Sequence, residues 1–139
     1  MYLIDTNVIS EVRKHGRANP GVAAFFHQAV RDGHDLYLSV VTIGELRRGV
    51  ELIRHRGDAQ QALLLEKWLK TILRDHAQNI LAIDEDVAQL WGRLRVPQAE
   101  HAVDKMIAAT ALIHDLTVVT RNVGDFAQTG ARLLDPFTC

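Results

Sequence analysis

Short apolar runs alternate with helix-length periodic segments from one end of this sequence to the other. Tyr2–Asp5, Leu36–Ser39, Ile80–Ile83 and Thr117–Thr120 read as strands, and Arg132–Leu134 as a fifth strand at an edge. Between them, Val8–Lys14, Gly21–Asp32 (opened by Pro20), Thr42–Arg56, Ala59–Leu73, Val87–Leu94 (capped by Asp84) and Lys105–His114 read as helices, and a short helical turn follows Asn122. In Thr42–Arg56 the residues Ile43, Leu46, Val50 and Ile53 recur at intervals of three and four, and Leu65, Trp68 and Leu69 mark the inner face of the next helix. Strands separated by helices require crossover connections, which give a parallel sheet. The strand runs VVT and LAI have no polar face, which suits a sheet covered by helices on both sides. The expected fold is therefore a three-layer α/β domain with a parallel sheet of about five strands flanked by helices.

Gly16–Gly21, Arg56–Asp58 and Val96–His101 are too short to separate domains, so residues 1–139 are expected to form one domain. A chain of this size buries roughly 70% of its extended surface, enough for one core. With 47% hydrophobic and 24% charged residues, disorder is excluded. Charges interrupt every apolar stretch before it is long enough to span a membrane. The opening MYLID has no basic segment before an apolar run, so no signal peptide is expected and the location is read as cytoplasmic. The lone cysteine, Cys139, cannot form an internal disulfide, which fits a reducing compartment. The seven histidines lack HxxxH or HExxH spacing, so there is no zinc signature. The net charge of −1 opposes a nucleic-acid enzyme unless acidic groups gather in one site with basic groups around it.

Four acids stand out by position. Asp5 ends the first strand, Glu45 lies in the first turn of the helix after the second, and Asp125 lies just past the fourth. The C-terminal ends of parallel strands share one edge, where ligands bind. Asp104 opens the Ala-rich helix, which runs through Asp115–Leu116 almost directly into the fourth strand. Its C-terminus therefore lies at the opposite edge, and its N-terminus reaches back toward the other three acids. Two carboxylates ~4 Å apart repel by about 4 kcal/mol at an effective dielectric near 20. Helix N-termini offset only ~0.3–1 kcal/mol each. A bound hard cation is the stronger remedy, and an all-oxygen donor set suits Mg²⁺, or Mn²⁺, rather than zinc.

Each acid also has a structural explanation when taken singly. Thr42 and Glu45 match a T-x-x-E capping box, Asn122 with Asp125 a similar cap, Asp104 a helix cap, and Asp5 a turn anchor. Convergence on one edge favours the functional reading, because independent caps need not meet. Asp84, Asp58 and Asp32 are read as caps or solvated charges, and Trp68 and Trp91 as core. Arg13, Lys14, Arg17, Arg47 and Arg48 are candidates for phosphate or protein-partner contacts, against the simpler account of a solvated face.

LIDTNVISE, SVVTIGELRRGV, LWGRL and DKMIAATALIHDLTVVTRNVGDF occur in this order over essentially the whole chain. Together they resemble the PIN-domain family, in particular its VapC/FitB group of toxin ribonucleases. DTN alone is weak. Followed by the Glu helix, D-x-x-IAATA and TRN-x-x-DF, it is specific. By this resemblance the catalytic quartet falls on Asp5, Glu45, Asp104 and Asp125, with metal ligation resting chiefly on Asp5 and Asp104. Thr6, Asn7, Thr120 and Asn122 match the polar residues that support such a site. Lys105 departs from the small or apolar residue that relatives often carry there, and it either meets substrate phosphate or points away. The resemblance implies a PIN-like domain with a five-stranded parallel sheet, a Mg²⁺-dependent (or Mn²⁺-dependent) endoribonuclease activity on structured RNA such as tRNA or rRNA, and a role as toxin. It also implies a homodimer, a VapB-like antitoxin that blocks the site, higher toxin–antitoxin assemblies, and DNA contact only through the antitoxin.

The expected chemistry is hydrolysis of an RNA phosphodiester. Asp5 and Asp104 bind the metal, and Glu45 and Asp125 bind a second metal or metal-bound waters, one of them acting as general base. Two other functions compete with it. An Asp5-based phosphatase would want Asp where Asn7 stands, and a phospho-acceptor domain would want an acidic pair that is absent. A non-catalytic regulator would act only on DNA together with its antitoxin.

Overall fold

The computed structural model describes residues 1–138; Cys139 lies outside the described residues. Five strands, β1 (Tyr2–Ile4), β2 (Leu36–Ser39), β3 (Ile80–Leu81), β4 (Thr117–Val119) and β5 (Leu133–Leu134), form a sheet of order β3-β2-β1-β4-β5. All neighbouring pairs are parallel, with Tyr2 opposite both Leu36 and Thr117, Leu38 opposite Ile80, and Val118 opposite Leu133. The parallel α/β expectation holds, with β5 at an edge as foreseen. The third strand is shorter than its apolar run suggests and stops at Leu81.

The helices are α1 (Thr6–Val12), α2 (Pro20–Arg31), α3 (Val40–His55), α4 (Ala59–Asp75), α5 (Glu85–Leu94) and α6 (Ala102–His114), with 3₁₀ turns at His15–Arg17, Ala77–Asn79 and Val123–Phe126. Several starts are fixed by side-chain oxygens that accept from otherwise unpaired N–H groups: Asn19 for α2 (with Pro20 following it), Ser39 for α3, Asp58 for α4 and Asp84 for α5. Asp58 and Asp84 are thus caps, as read from the sequence. Asp32 instead follows the end of α2, where it accepts both hydrogen bonds of the Gln28 amide.

Successive strand residues point to opposite faces. Ile4 and Val119 join a cluster with Val8, Leu46, Val50, Leu65 and Leu69 from α1, α3 and α4. Leu3 and Val118 join Ile107, Ala108, Ala111 and Phe126 on the other face. The small side chains of α6 let it lie close to the sheet, which makes the helix nearly featureless in hydrophobic period and yet buried along Ile107–Ala111. Each large aliphatic side chain buried here contributes about 1.5–3 kcal/mol. Trp68 is partly buried and packs on the first cluster. Trp91 is only half-buried and donates its indole N–H to the Ala102 carbonyl at 2.9 Å, tying α5 to the start of α6.

The placement of α6 decides where Asp104 goes. Asp115 ends the helix in the left-handed conformation (φ 55°), and the Leu116 N–H bonds back to the Ala111 carbonyl. The chain then enters β4 at Thr117, so α6 runs antiparallel to that strand. Its 13 residues span about 20 Å and return its first turn to the C-terminal edge of the sheet.

Candidate active site

At that edge the chain leaves β1 through Asp5, which is 3% exposed and caps α1. One carboxylate oxygen accepts from the Thr6 N–H at 2.8 Å. The other accepts from the Thr120 hydroxyl at 2.8 Å and the Asn7 amide at 3.3 Å. Thr120, the residue after β4, is itself fixed by the Asn122 N–H at 3.0 Å. Asn7 uses its amide oxygen to accept from the Arg121 N–H at 3.1 Å. The support residues therefore knit the exits of β1 and β4 together around one carboxylate. Burial pushes the Asp5 carboxyl up. The bonds from Thr120, Thr6 and Asn7 pull it back without cancelling that rise, and the charge of Glu45 adds to it.

Glu45 reaches the same edge from α3 and accepts from the Thr6 hydroxyl at 2.8 Å. Because β2 passes directly into α3 at Val40 with Ser39 as cap, Glu45 lies in the second turn rather than the first. The T-x-x-E capping box does not form: Thr42 is buried, and its hydroxyl has no partner among the described residues. Nor does Asp104 cap α6. It stands in the first turn, and His101 occupies the cap position with no side-chain cap bond. Asn122 likewise makes no side-chain cap, and Asp125 lies within the 3₁₀ turn that it precedes. Of the four acids only Asp5 has a capping role, as the N-cap of α1 rather than the anchor of a turn, and there the cap is part of the site.

Asp104 carries the strongest electrostatic mark. Burial first, then the charges of Asp5 and Asp125, with a smaller push from Glu45, raise its carboxyl from 3.8 to about 6, against the opposing influence of His101. Asp104 therefore lies within electrostatic reach of the other three acids. The tightest group of donor atoms is His101, Asp104 and Asp125, all within 4.8 Å of one another. Asp5 stands outside that group, bound to its three donors. His101 is the residue that sequence reasoning missed. The signal was H-x-x-D, one helical turn ahead of Asp104, which carries no zinc-site spacing.

The oxygen-rich donor set and the unrelieved rise at Asp104 fit a hard divalent cation. Asp104 would hold it, with Asp5, Asp125 and Glu45 near enough to act on its charge. Lys105 lines the same cavity as His101 and Asp125, and its ammonium donates to the Gln98 carbonyl at 2.5 Å. Arg47 is also committed, forming a two-pronged pair with Glu66 at 2.7 and 2.8 Å and a bond to Glu51 at 3.2 Å, so it bridges α3 to α4. Lys14 pairs with Glu11 at 2.9 Å. Arg13 and Arg17 remain exposed in an adjoining groove with Trp68, and Arg48 is a solvated charge. Among the described residues, no helix is long and apolar enough to cross a membrane.

The PIN domain family profile matches residues 2–131. Toxin FitB of Neisseria gonorrhoeae is 37% identical over 99% of both chains. VapC ribonuclease Y4jK of Sinorhizobium fredii is 29% identical over 99% of this chain and 98% of its own. Among solved structures, FitAB bound to an IR36 DNA fragment includes a chain that superposes with a TM-score of 0.86 at 33% identity, covering 100% of this chain and 97% of that one.

Proposed function

The chain belongs to the PIN-domain family, and on that premise we propose that it is a divalent-cation-dependent endoribonuclease serving as the toxin of a toxin–antitoxin pair. The observation that carries this proposal is the meeting of Asp5, Glu45, Asp104 and Asp125 at one edge of the sheet, with Asp104 pushed up to about 6. Support comes from relatives that are a toxin and a ribonuclease by name, each aligned over nearly its full length.

When bound, the cation supplies positive charge against the phosphate and acidifies a water, which carboxylates alone do not do. Asp5 and Asp104 are its principal holders in this proposal. Thr6, Asn7 and Thr120 keep Asp5 oriented and favour its ionised form, while the backbone at Asn122 fixes Thr120. Glu45, steadied by the Thr6 hydroxyl, and Asp125 flank the reacting phosphate, and one of them takes the proton of the attacking water. Attack in line at phosphorus needs no ribose 2′-hydroxyl; it breaks the bond to the 3′-oxygen, which takes a proton from solvent and leaves as a 3′-hydroxyl, and the other product carries a 5′-phosphate. The substrate is structured RNA of the tRNA or rRNA kind.

The whole of 1–139 acts as one PIN domain, as a homodimer in the cytoplasm. A VapB-like antitoxin covers the site, and DNA is reached only through that antitoxin, alone or in higher assemblies. The FitAB–DNA complex is consistent with this arrangement. The deciding experiment maps RNA 5′ ends with purified protein in Mg²⁺ or Mn²⁺. Cleavage with 5′-phosphate ends, abolished by chelation and by Asp5→Asn, is expected. Full cleavage by Asp5→Asn would refute the assignment.

A further inference from the structure

We propose that His101 is itself a ligand of the cation, so that the site offers one imidazole nitrogen among its carboxylates and favours Mn²⁺ over Mg²⁺. This rests on the cation site proposed above and adds to it a residue and a metal preference.

Distances supply the first reason. The His101 Nδ1 lies 4.0 Å from an Asp104 oxygen, and its Nε2 lies 3.8 Å from an Asp125 oxygen. A charge-assisted hydrogen bond between these groups would close to about 2.7–2.9 Å. Neither contact does so, and the ring makes no hydrogen bond among the described residues. Two ligands of one divalent ion, each about 2.1 Å from it, stand up to about 4.2 Å apart. The two separations involve different ring nitrogens, and both are longer than such a hydrogen bond; a single nitrogen can join both carboxylates on one cation only once the ring turns. The whole group spans 4.8 Å, so a rotation of the exposed ring closes it.

The backbone supplies a second reason. His101 holds a left-handed conformation (φ 56°) at the cap position of α6, where Ser, Thr, Asp or Asn would accept from the helix N–H groups. His101 makes no such bond, and this backbone turn sets its ring beside Asp104 and Asp125 instead. Lys105, the other cationic group at the start of α6, is turned to Gln98. Lys105 lines the same cavity as His101 and Asp125, but the Gln98 carbonyl engages its ammonium.

A nitrogen donor discriminates among cations. Imidazole strengthens binding along the first-row series from Mn²⁺ upward and adds little for Mg²⁺, which holds to oxygen. The full chain is titrated with Mn²⁺ and followed by electron paramagnetic resonance, and bound Mn²⁺ is then examined for spin-echo modulation from a directly bound nitrogen. The variant His101→Asn keeps a residue that tolerates the left-handed backbone, and His101→Gln keeps polarity at greater length. Nitrogen modulation is expected in the natural protein and its loss in both variants. Mn²⁺ affinity should weaken about tenfold, with Mg²⁺ affinity moving by less than about twofold. Mn²⁺ bound without nitrogen modulation, or with modulation that survives both substitutions, overturns the assignment of His101. If that same Mn²⁺ is lost on Asp104→Asn, the acidic site stands and only His101 falls. A natural protein that binds no Mn²⁺ overturns both.

Discussion

Replacing Asp104 by asparagine is expected to remove nuclease activity and, in the absence of metal, to make the protein more stable. The carboxyl rises from 3.8 to about 6 in the folded chain, chiefly through burial and then through the charges of Asp5 and Asp125. A carboxyl raised on folding holds its proton more tightly in the folded state. Stability is then undiminished below 3.8, declines as pH climbs from there to about 6, and stays reduced above that. At about 1.4 kcal/mol per pH unit the full penalty would be about 3 kcal/mol. Water still reaches the side chain, which is 20% exposed, so screening brings the figure to about 1–2 kcal/mol. Asparagine forgoes a favourable negative charge in the first turn of α6, worth ~0.3–1 kcal/mol. The net gain at neutral pH is about 1 kcal/mol, or a rise of about 3–4 °C in Tm for a chain of this length.

Thermal unfolding in chelator, for both proteins between pH 4 and pH 7.5, reads this directly. The gap between the variant and the natural protein should be widest near neutrality and close toward pH 4. Adding Mn²⁺ should raise the Tm of the natural protein and leave the variant nearly unmoved. A variant less stable than the natural protein at pH 7 in chelator, or a gap that does not change with pH, would show that the acids do not meet as described.

Thr120→Val keeps the shape but removes the hydroxyl that donates to Asp5 and accepts from the Asn122 N–H. It should destabilise by about 1–3 kcal/mol and raise the Asp5 carboxyl further, so the acid limb of the cleavage pH profile should move upward; an unmoved limb contradicts the role given to Thr120. Gly21→Ala would set a Cβ 2.2 Å from the Pro136 carbonyl oxygen and 2.9 Å from the Thr138 backbone nitrogen. The segment 136–138 must then separate from the start of α2, with a loss of about 1–3 kcal/mol and faster amide exchange at Thr138, and protection equal to the natural protein's would refute the contact.

The sheet was legible because each strand is a short apolar run bounded by a helical segment, and the acidic edge was legible because three of its acids follow strands. What misled was local. T-x-x-E looks like a helix start, yet β2 runs straight into α3 under the cap of Ser39, two residues before Val41, whose N–H it receives at 3.1 Å. The start of α6 at Ala102 was hidden because His101 enters it through a left-handed turn, a conformation to which no propensity scale points for histidine. Arg47 with Glu51 is an i,i+4 pair visible in any helix, whereas its stronger pairing with Glu66 depends on how α3 folds back on α4. That contact withdraws Arg47 from the basic groups available to a phosphate.

Asp5 and Asp104 differ in a way that their shared residue type conceals. Asp5 is buried, and three donors from two strand exits hold it. Asp104 receives no hydrogen bond from any donor among the described residues; its nearest positively chargeable neighbour is His101 at 4.0 Å. Satisfying both with protein donors would settle the repulsion and leave nothing for a cation to gain. Satisfying one anchors the site, and leaving the other open at about 6 keeps an excess of negative charge that, on the proposed reading, a divalent ion would offset as the proton departs. Cation uptake near neutral pH should therefore release protons chiefly from Asp104 rather than from Asp5, because Asp5 already accepts from three donors and Asp104 from none among the described residues.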